Sequence, residues 1–253
     1  MEFFYTGERL HPKQDDLNAI SYTKQYQFIS KMLKGKSVLD NACGNCIGAM
    51  FYHKFGAKKI VGIDISKEAV DEANGLKIPN SQFLVMDGVD LKLEDSSFDA
   101  VVSVATLEHI KDYNKYVKEC KRVLKKGGLL FVETPNSLHY KDMKSTHDFH
   151  EKEFTHKELK TLLSKHFKVE KFYGVSFSKR GAEFIENVKK KRKNPVFEFL
   201  FSYIYIPLNI YIPASVKKML RKSISKSSFS DSDVIISTKD VDKAYEFIVI
   251  CRK

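Results

Sequence analysis

Five short apolar runs, each cut off by a turn, constrain this chain more than any other feature of its sequence. They are Gly35–Asp40, Lys59–Asp64, Gln82–Asp87, Phe98–Val104 and Gly128–Glu133. A strand covered on both faces reads as a near-continuous apolar run, whereas a half-exposed strand alternates. Stretches of helical length lie between several of the runs, such as Ser66–Asn74 and Asp112–Leu124. Ser66 is placed to cap the first of these, with Glu68 and Glu72 in its early turns. Ahead of the first run, Asp16–Leu33 sets Leu17, Ile20, Tyr26, Ile29, Met32 and Leu33 at roughly helical spacing. The pattern predicts a helix-first, doubly wound α/β domain.

After Glu133 the rhythm changes. Thr155 is placed to cap a helix to about Lys165, with Glu158 at capping-box spacing, and Phe167–Val175 and Tyr245–Cys251 read as strands. With 253 residues, 43% hydrophobic and 30% charged, the chain can bury a large core and is neither collagen-like nor wholly disordered. Four cysteines are too few for a disulfide framework, and no basic start leads into an apolar run at Met1. A cytoplasmic protein is expected. Cys43 and Cys46 form a C-x-x-C without a second pair, and are read as structural.

Three strand ends carry the chemistry. The first run opens into Asp40-Asn-Ala-Cys-Gly44-Asn-Cys-Ile-Gly48, a strand-to-helix turn where glycines let backbone approach a ligand. It is a poor dinucleotide fingerprint, since Cys46 and Ala49 stand where further glycines belong, and no P-loop Gly-Lys-Ser/Thr follows. Asp64 ends the second run, where a carboxylate can accept both hydroxyls of a ribose. Asp87, followed by Gly88, ends the third, where a side chain can accept from an adenine amino group.

On VLDNACGNCIG, IVGIDIS, LVMDGVDL, FDAVVSVATLEHI and RVLKKGGLLFVETPN, in that order across residues 35–175, the chain resembles the class I S-adenosylmethionine-dependent methyltransferases. The resemblance implies a doubly wound, mostly parallel seven-stranded sheet of the Rossmann-like methyltransferase type. Its last strand, at Tyr245–Cys251, would be reversed, with a helical insert before it. It implies S-adenosyl-L-methionine as cofactor, with Asp40, Gly44 and Gly48 at the methionine end, Asp64 at the ribose, and Asp87 with Gly88 at the adenine. Ala42, Ile65 and Val104 complete the cofactor set. One departure stands out: the family usually has glycine where Cys46 stands.

Methyl transfer to oxygen often needs a base for the hydroxyl proton. The candidates are Glu108 and His109 after the fourth run, and His150 in the loop Lys144–Thr155. Each histidine has a bland reading too, as a packing or loop-ordering residue. His147, His150 and Glu153 are weakly spaced for a metal, and no metal is expected. The stretches Phe4–Pro12, Glu133–Asn136 and His147–Thr155 resemble methyltransferases encoded with cell-surface glycan synthesis enzymes. That implies a saccharide acceptor, free or on a lipid or nucleotide carrier.

The formal net charge is +11, and Ser178–Ser230 holds twelve Lys/Arg against Glu183, Glu186 and Glu198. Inside it, Val196–Ile212 is apolar and aromatic, broken by Pro207 and too short to span a bilayer. Two readings stay open: an element at the inner membrane surface through 195–226, or a lid or homodimer patch. Nucleic acid ranks last, because the aromatics form one block instead of alternating with the basic residues. The expected domains are an N-terminal cap (1–34), a cofactor-binding core (35–177), a basic aromatic insert (178–240) and the final strand (241–253).

Overall fold

A computed structural model of the chain describes residues 17–140, 150–192 and 229–253. The Phe4–Pro12 segment, His147 and the membrane-surface or lid stretch at 195–226 lie outside them. The described chain begins with α1 (Leu17–Ser30), β1 (Ser37–Asn41), α2 (Ile47–Lys54), β2 (Lys59–Asp64) and α3 (Lys67–Gly75). It continues with β3 (Ser81–Val85), β4 (Phe98–Val104), α4 (Tyr113–Val123) and β5 (Leu124–Pro135). Then follow α5 (Ser137–Tyr140), α6 (His156–Ser164), β6 (Lys168–Phe177), α7 (Lys179–Arg192), β7 (Val234–Ser237) and β8 (Glu246–Arg252).

The strands form one mixed sheet in the order β3-β2-β1-β4-β5-β8-β6-β7. β1 to β5 are parallel, and β8 runs antiparallel to both β5 and β6. From β1 the chain builds outward through β2 and β3, then restarts on the other side at β4. In such sheets a ligand crevice opens at the carboxyl ends of the strands where the order reverses, here between β1 and β4.

Burial explains why the apolar runs are strands. Val38, Leu39, Ile60, Ile63, Val101 and Val102 are fully buried, as are Phe247, Ile248 and Val249 in the reversed strand. One core cluster joins Leu39, Val101, Leu130 and Phe247 of the sheet to Tyr116, Val117 and Cys120 of α4 and Leu159 and Leu163 of α6. Each such side chain contributes roughly 1.5–3 kcal/mol on burial. The helix starts follow local chemistry: the Ser66 hydroxyl accepts from Ala69 N, and Thr155 and Glu158 form a reciprocal capping box.

Two details differ from expectation. Among the described residues the sheet has eight strands, not seven. The extra one, Val234-Ile-Ile-Ser237, is four residues long and only partly buried, so its β-branched run is too short to stand out within the segment taken as a helical insert. β5 begins at Leu124, well before Gly128, because a register irregularity against β4 between Phe98 and Ala100 absorbs the extra residues.

The chain divides into two compact units. Of the described residues, 17–21, 177–192 and 229–235 belong to the smaller one, and the sheet's remaining strands with α2 to α6 belong to the larger. Within the smaller unit, buried Asp233 accepts from Ser178 Oγ at 2.7 Å and pairs with Arg180, whose guanidinium also lies 5.1 Å over the Phe229 ring. Arg180 holds the Asp233 carboxyl well below the usual carboxylate range.

Candidate functional site

The turn between β1 and α2 bends sharply. Ala42, Gly44 and Cys46 take left-handed backbone, at φ 66°, 51° and 58°. A side chain on Gly44 would meet open space, so this turn presents bare backbone outward. Cys46, which begins α2, adopts with a side chain a conformation that glycine takes without strain. Its thiol is buried and its pKa pushed up to about 12 by that burial, while burial also raises Cys43. Both cysteines are free thiols and stay protonated at neutral pH.

Asp64, at the end of β2, holds this turn. One carboxylate oxygen accepts from Gly44 N and the other from Ser66 N, both at 2.9 Å. A carboxylate has about four acceptor sites, so capacity for two further donors remains. Ile65, the next residue, is 74% exposed, an unusual position for an isoleucine beside such a turn. Met86 N donates to Asp64 O, linking the end of β3 to the same edge.

Gly48 lies tight against protein groups. A Cβ there would come within 2.6 Å of the Tyr52 hydroxyl and 2.9 Å of both Asp40 Oδ2 and Tyr26. The missing side chain makes room for protein groups. Asp40, 3% exposed, is raised to about 7, first by burial and then by the charge of Asp64. The Tyr52 hydroxyl donates to this buried carboxyl, which partly offsets the rise and itself pushes the tyrosine upward.

Farther along the rim, exposed Asp87 accepts from Val89 N at 3.0 Å in a tight local turn. Gly88 packs so closely that a Cβ would meet Asn41 Oδ1 at 2.5 Å. Asn41, from the end of β1, accepts the Tyr116 hydroxyl proton on its backbone carbonyl, and the Ser103 hydroxyl of β4 hydrogen-bonds to the same phenol oxygen, the serine serving as donor. The ends of β1 and β3 are thus braced through α4.

Across the crevice, β4 ends in Val104 and a left-handed Ala105, whose N–H donates to Glu133 Oε2 at 2.8 Å. The turn Leu107–His109 follows. Glu108 is 2% exposed and accepts from Thr134 Oγ1 at 2.9 Å. Burial raises its carboxyl pKa, with His109 opposing. The His109 and His150 rings meet edge to face at 4.7 Å, and His150 Nδ1 lies 3.0 Å from Glu153 Oε1. Glu151 N and Lys152 N both donate to Glu108 O, which anchors the His150 segment against this turn.

The structure therefore brings Asp40, Ala42, Gly44, Gly48 and Asp64 together, and separately Glu108, His109 and His150. Asp87, Gly88, Ile65 and Val104 stand at neighbouring strand ends. Sequence reasoning missed Tyr26 and Tyr52, which close over Asp40, and the buried acids at the β5–β8 junction. There Glu133, with Oε1 buried and partnerless among the described residues, is raised by burial and by the charge of Glu246, whose Oε2 accepts from Gln25 Nε2 at 2.7 Å. Only the Gly48–Tyr52 spacing, one helical turn, hinted at any of these.

Comparison with known proteins agrees with this geometry. A family described as a methyltransferase domain matches residues 39–132. A probable S-adenosylmethionine-dependent methyltransferase of Mycobacterium tuberculosis is 32% identical over 162 residues, 62% of this chain and 58% of the relative. One from Mycolicibacterium smegmatis is 31% identical over 175 residues, 67% of each. A ubiquinone biosynthesis O-methyltransferase of Coxiella burnetii is 33% identical over 107 residues, 41% of this chain and 45% of the relative. The fold matches a solved S-adenosylmethionine-dependent methyltransferase of Thermotoga maritima, described as a possible histamine N-methyltransferase. That match has TM-score 0.60 and 17% identity, covering 92% of this chain and 90% of the other. The chain belongs to the class I S-adenosylmethionine-dependent methyltransferase family. It spans 58% of the length of the first curated relatives it matches.

Proposed function

We propose that this protein binds S-adenosyl-L-methionine at the β1–β2 edge and transfers its methyl group to an acceptor hydroxyl of a sugar or glycan intermediate. The observation that carries the reading is the buried Asp40 carboxyl, set against the Tyr52 hydroxyl behind the open Gly44 turn, with the acceptor-ready Asp64 beside it. These residues fit a cationic amino-acid end and a ribose, in that order. Asp40 and Gly44 would hold the methionine end, with Ala42 beside them, and Gly48 would keep Asp40 in place by leaving it room. Asp64 would accept the ribose hydroxyls, Ile65 and Val104 would cover the apolar faces, and Asp87 with Gly88 would take the adenine. When bound, the cofactor supplies a methyl carbon made electrophilic by a positively charged sulfur.

Glu108 and His109 lie on the turn after β4 and His150 in the segment before α6, and either imidazole is suited to take the acceptor's hydroxyl proton. For the saccharide acceptor the support is the Glu133–Asn136 turn and the His147–Thr155 segment, part of which lies outside the described residues. A quinol-type hydroxyl is the second reading, favoured by the likeness to a ubiquinone biosynthesis O-methyltransferase. Among the described residues no helix is long and apolar enough to cross a membrane. Attachment at a membrane surface and pairing into a homodimer belong to this proposal as properties of 195–226.

The test begins with calorimetric titration of S-adenosylmethionine. Micromolar binding is expected, and Asp64→Ala should weaken it on the order of 100-fold, as loss of charge-assisted hydrogen bonds predicts. Transfer of labelled methyl to sugar nucleotides but not to a hydroquinone would favour the first reading, and the reverse the second. A folded protein that binds no cofactor would reduce the chain to a non-catalytic module.

A further inference from the structure

We infer that Glu108, His109 and His150 bind a divalent transition-metal ion of the zinc class, through three protein ligands with coordination positions left for an acceptor oxygen. One ligand atom from each of the three lies within 4.8 Å of the others. The expectation of no metal rested on His147, His150 and Glu153 along one loop. The fold instead joins His150 to a turn some forty residues earlier in the sequence.

Four features separate this cluster from an ordinary buried ion pair. Two imidazoles and one carboxylate are the ligand types that suit zinc, iron, cobalt and nickel, whereas magnesium and calcium favour all-oxygen sets. The rings meet at 82° and do not stack, so two nitrogens can converge on one point. Both ends of the set are already oriented from behind. Glu153 holds His150 through Nδ1, with both side chains nearly buried (12% and 14% exposed), and Thr134 holds one oxygen of Glu108. A carboxylate behind a histidine, fixing its tautomer and ring direction, is the usual support of a metal ligand. Finally, a single Glu–His pair would satisfy Glu108, and it would not call for a second imidazole with a carboxylate of its own.

The fit needs little movement. Metal–ligand distances of about 2.0–2.2 Å place tetrahedral ligand atoms roughly 3.3 Å apart. The cluster therefore closes by up to about 1.5 Å, within reach of side-chain torsions.

The consequence for catalysis rests on the function proposed above. A hydroxyl on the open position loses its proton at lower pH than in water. The two imidazoles then act as ligands, and the proton leaves for solvent. The oxygen–methyl bond forms as the methyl–sulfur bond breaks, sulfur keeps the electron pair, and the ion does not change oxidation state.

The experiment uses the full chain, stripped with a chelator and titrated with Co2+, read by its visible d–d absorption, and then with Zn2+ in competition. One equivalent is expected to bind. His150→Ala should weaken binding at least thirtyfold, and Glu153→Gln about 10- to 100-fold, the usual effect of removing such a support. Circular dichroism confirms that each variant is folded. No stoichiometric binding would overturn the inference. So would unchanged binding in His150→Ala, which would put the ion at another site such as the cysteines. S-adenosylmethionine titration of the same samples keeps the two readings apart. Ion binding without cofactor binding upholds the metal site and sinks the methyltransferase proposal, whereas cofactor binding without ion binding does the reverse.

Discussion

The two ends of the central sheet treat their charges in opposite ways. At the amino ends, every oxygen of Asp99 is used: Ser37 N donates at 2.8 Å and Lys125 Nζ at 2.7 Å. Arg122 joins Glu119 and Asp95 to the carbonyls of Leu91 and Leu93, and holds Glu119 below the usual carboxylate range. At the carboxyl ends, buried Asp40 pairs with the neutral Tyr52 hydroxyl, buried Glu133 has an oxygen unpaired among the described residues, and both are raised instead of lowered. One rim is closed by its own cations; the other holds acids ready for something the chain does not supply. Sequence composition alone would not separate them, since both rims are rich in acidic residues.

That contrast can be broken first at its tightest point. Gly48→Val should destabilise the fold by about 3 kcal/mol in denaturant melts, because its side chain would displace Tyr52, Asp40 and Tyr26 together. S-adenosylmethionine binding should fall with it. At the other rim, Arg122→Ala should cost about 2 kcal/mol of stability and leave cofactor affinity unchanged, since it removes only structural pairs. A shared loss of affinity would mean that the two ends are not separable.

A smaller effect sharpens the comparison through pH. An acid raised to about 7 by the fold favours the folded state below its unfolded pKa of about 4, and loses that advantage as pH climbs to about 7. A cationic ligand prefers the ionised form. Affinity for S-adenosylmethionine should therefore rise roughly tenfold from pH 6 to pH 8, following the ionised fraction of a group with that pKa. Tyr26, Tyr52, Tyr116, Cys43 and Cys46 face Asp40 and are all pushed upward, so they remain neutral across this range. Glu133 is raised too, which makes a flat profile in Asp40→Asn the observation that assigns the slope. The smallest change is expected from Cys46→Gly. It relieves a left-handed residue but empties a buried position, so stability should move by less than about 1 kcal/mol and affinity by less than threefold.

Much of this was legible beforehand, for physical reasons. β1, β2, β4 and β8 are buried on both faces, and so wrote themselves as unbroken apolar runs. Asp40 and Asp64 could be placed because a strand end is a position, and position in a parallel sheet determines the rim. Gly48 was harder: sequence shows that a side chain is missing, not whether ligand or protein fills the space. Tyr26 and Glu246 were invisible, because their neighbours come from far along the chain, as Gln25 and Glu246 do across 221 positions. β7 escaped notice because four half-covered residues leave no period to count.

Strand β8 has a further consequence, for how the protein is made. It lies between β5 and β6 and pairs with both along nearly its whole length. A ribosome releases β5 and β6 long before β8, with residues 178–245 emerging in between. Until then the facing edges of two long strands wait without a partner, the condition in which nascent chains are most prone to join one another. Chaperone demand during synthesis should therefore peak late, and truncations that remove β8 should aggregate instead of folding into a smaller core.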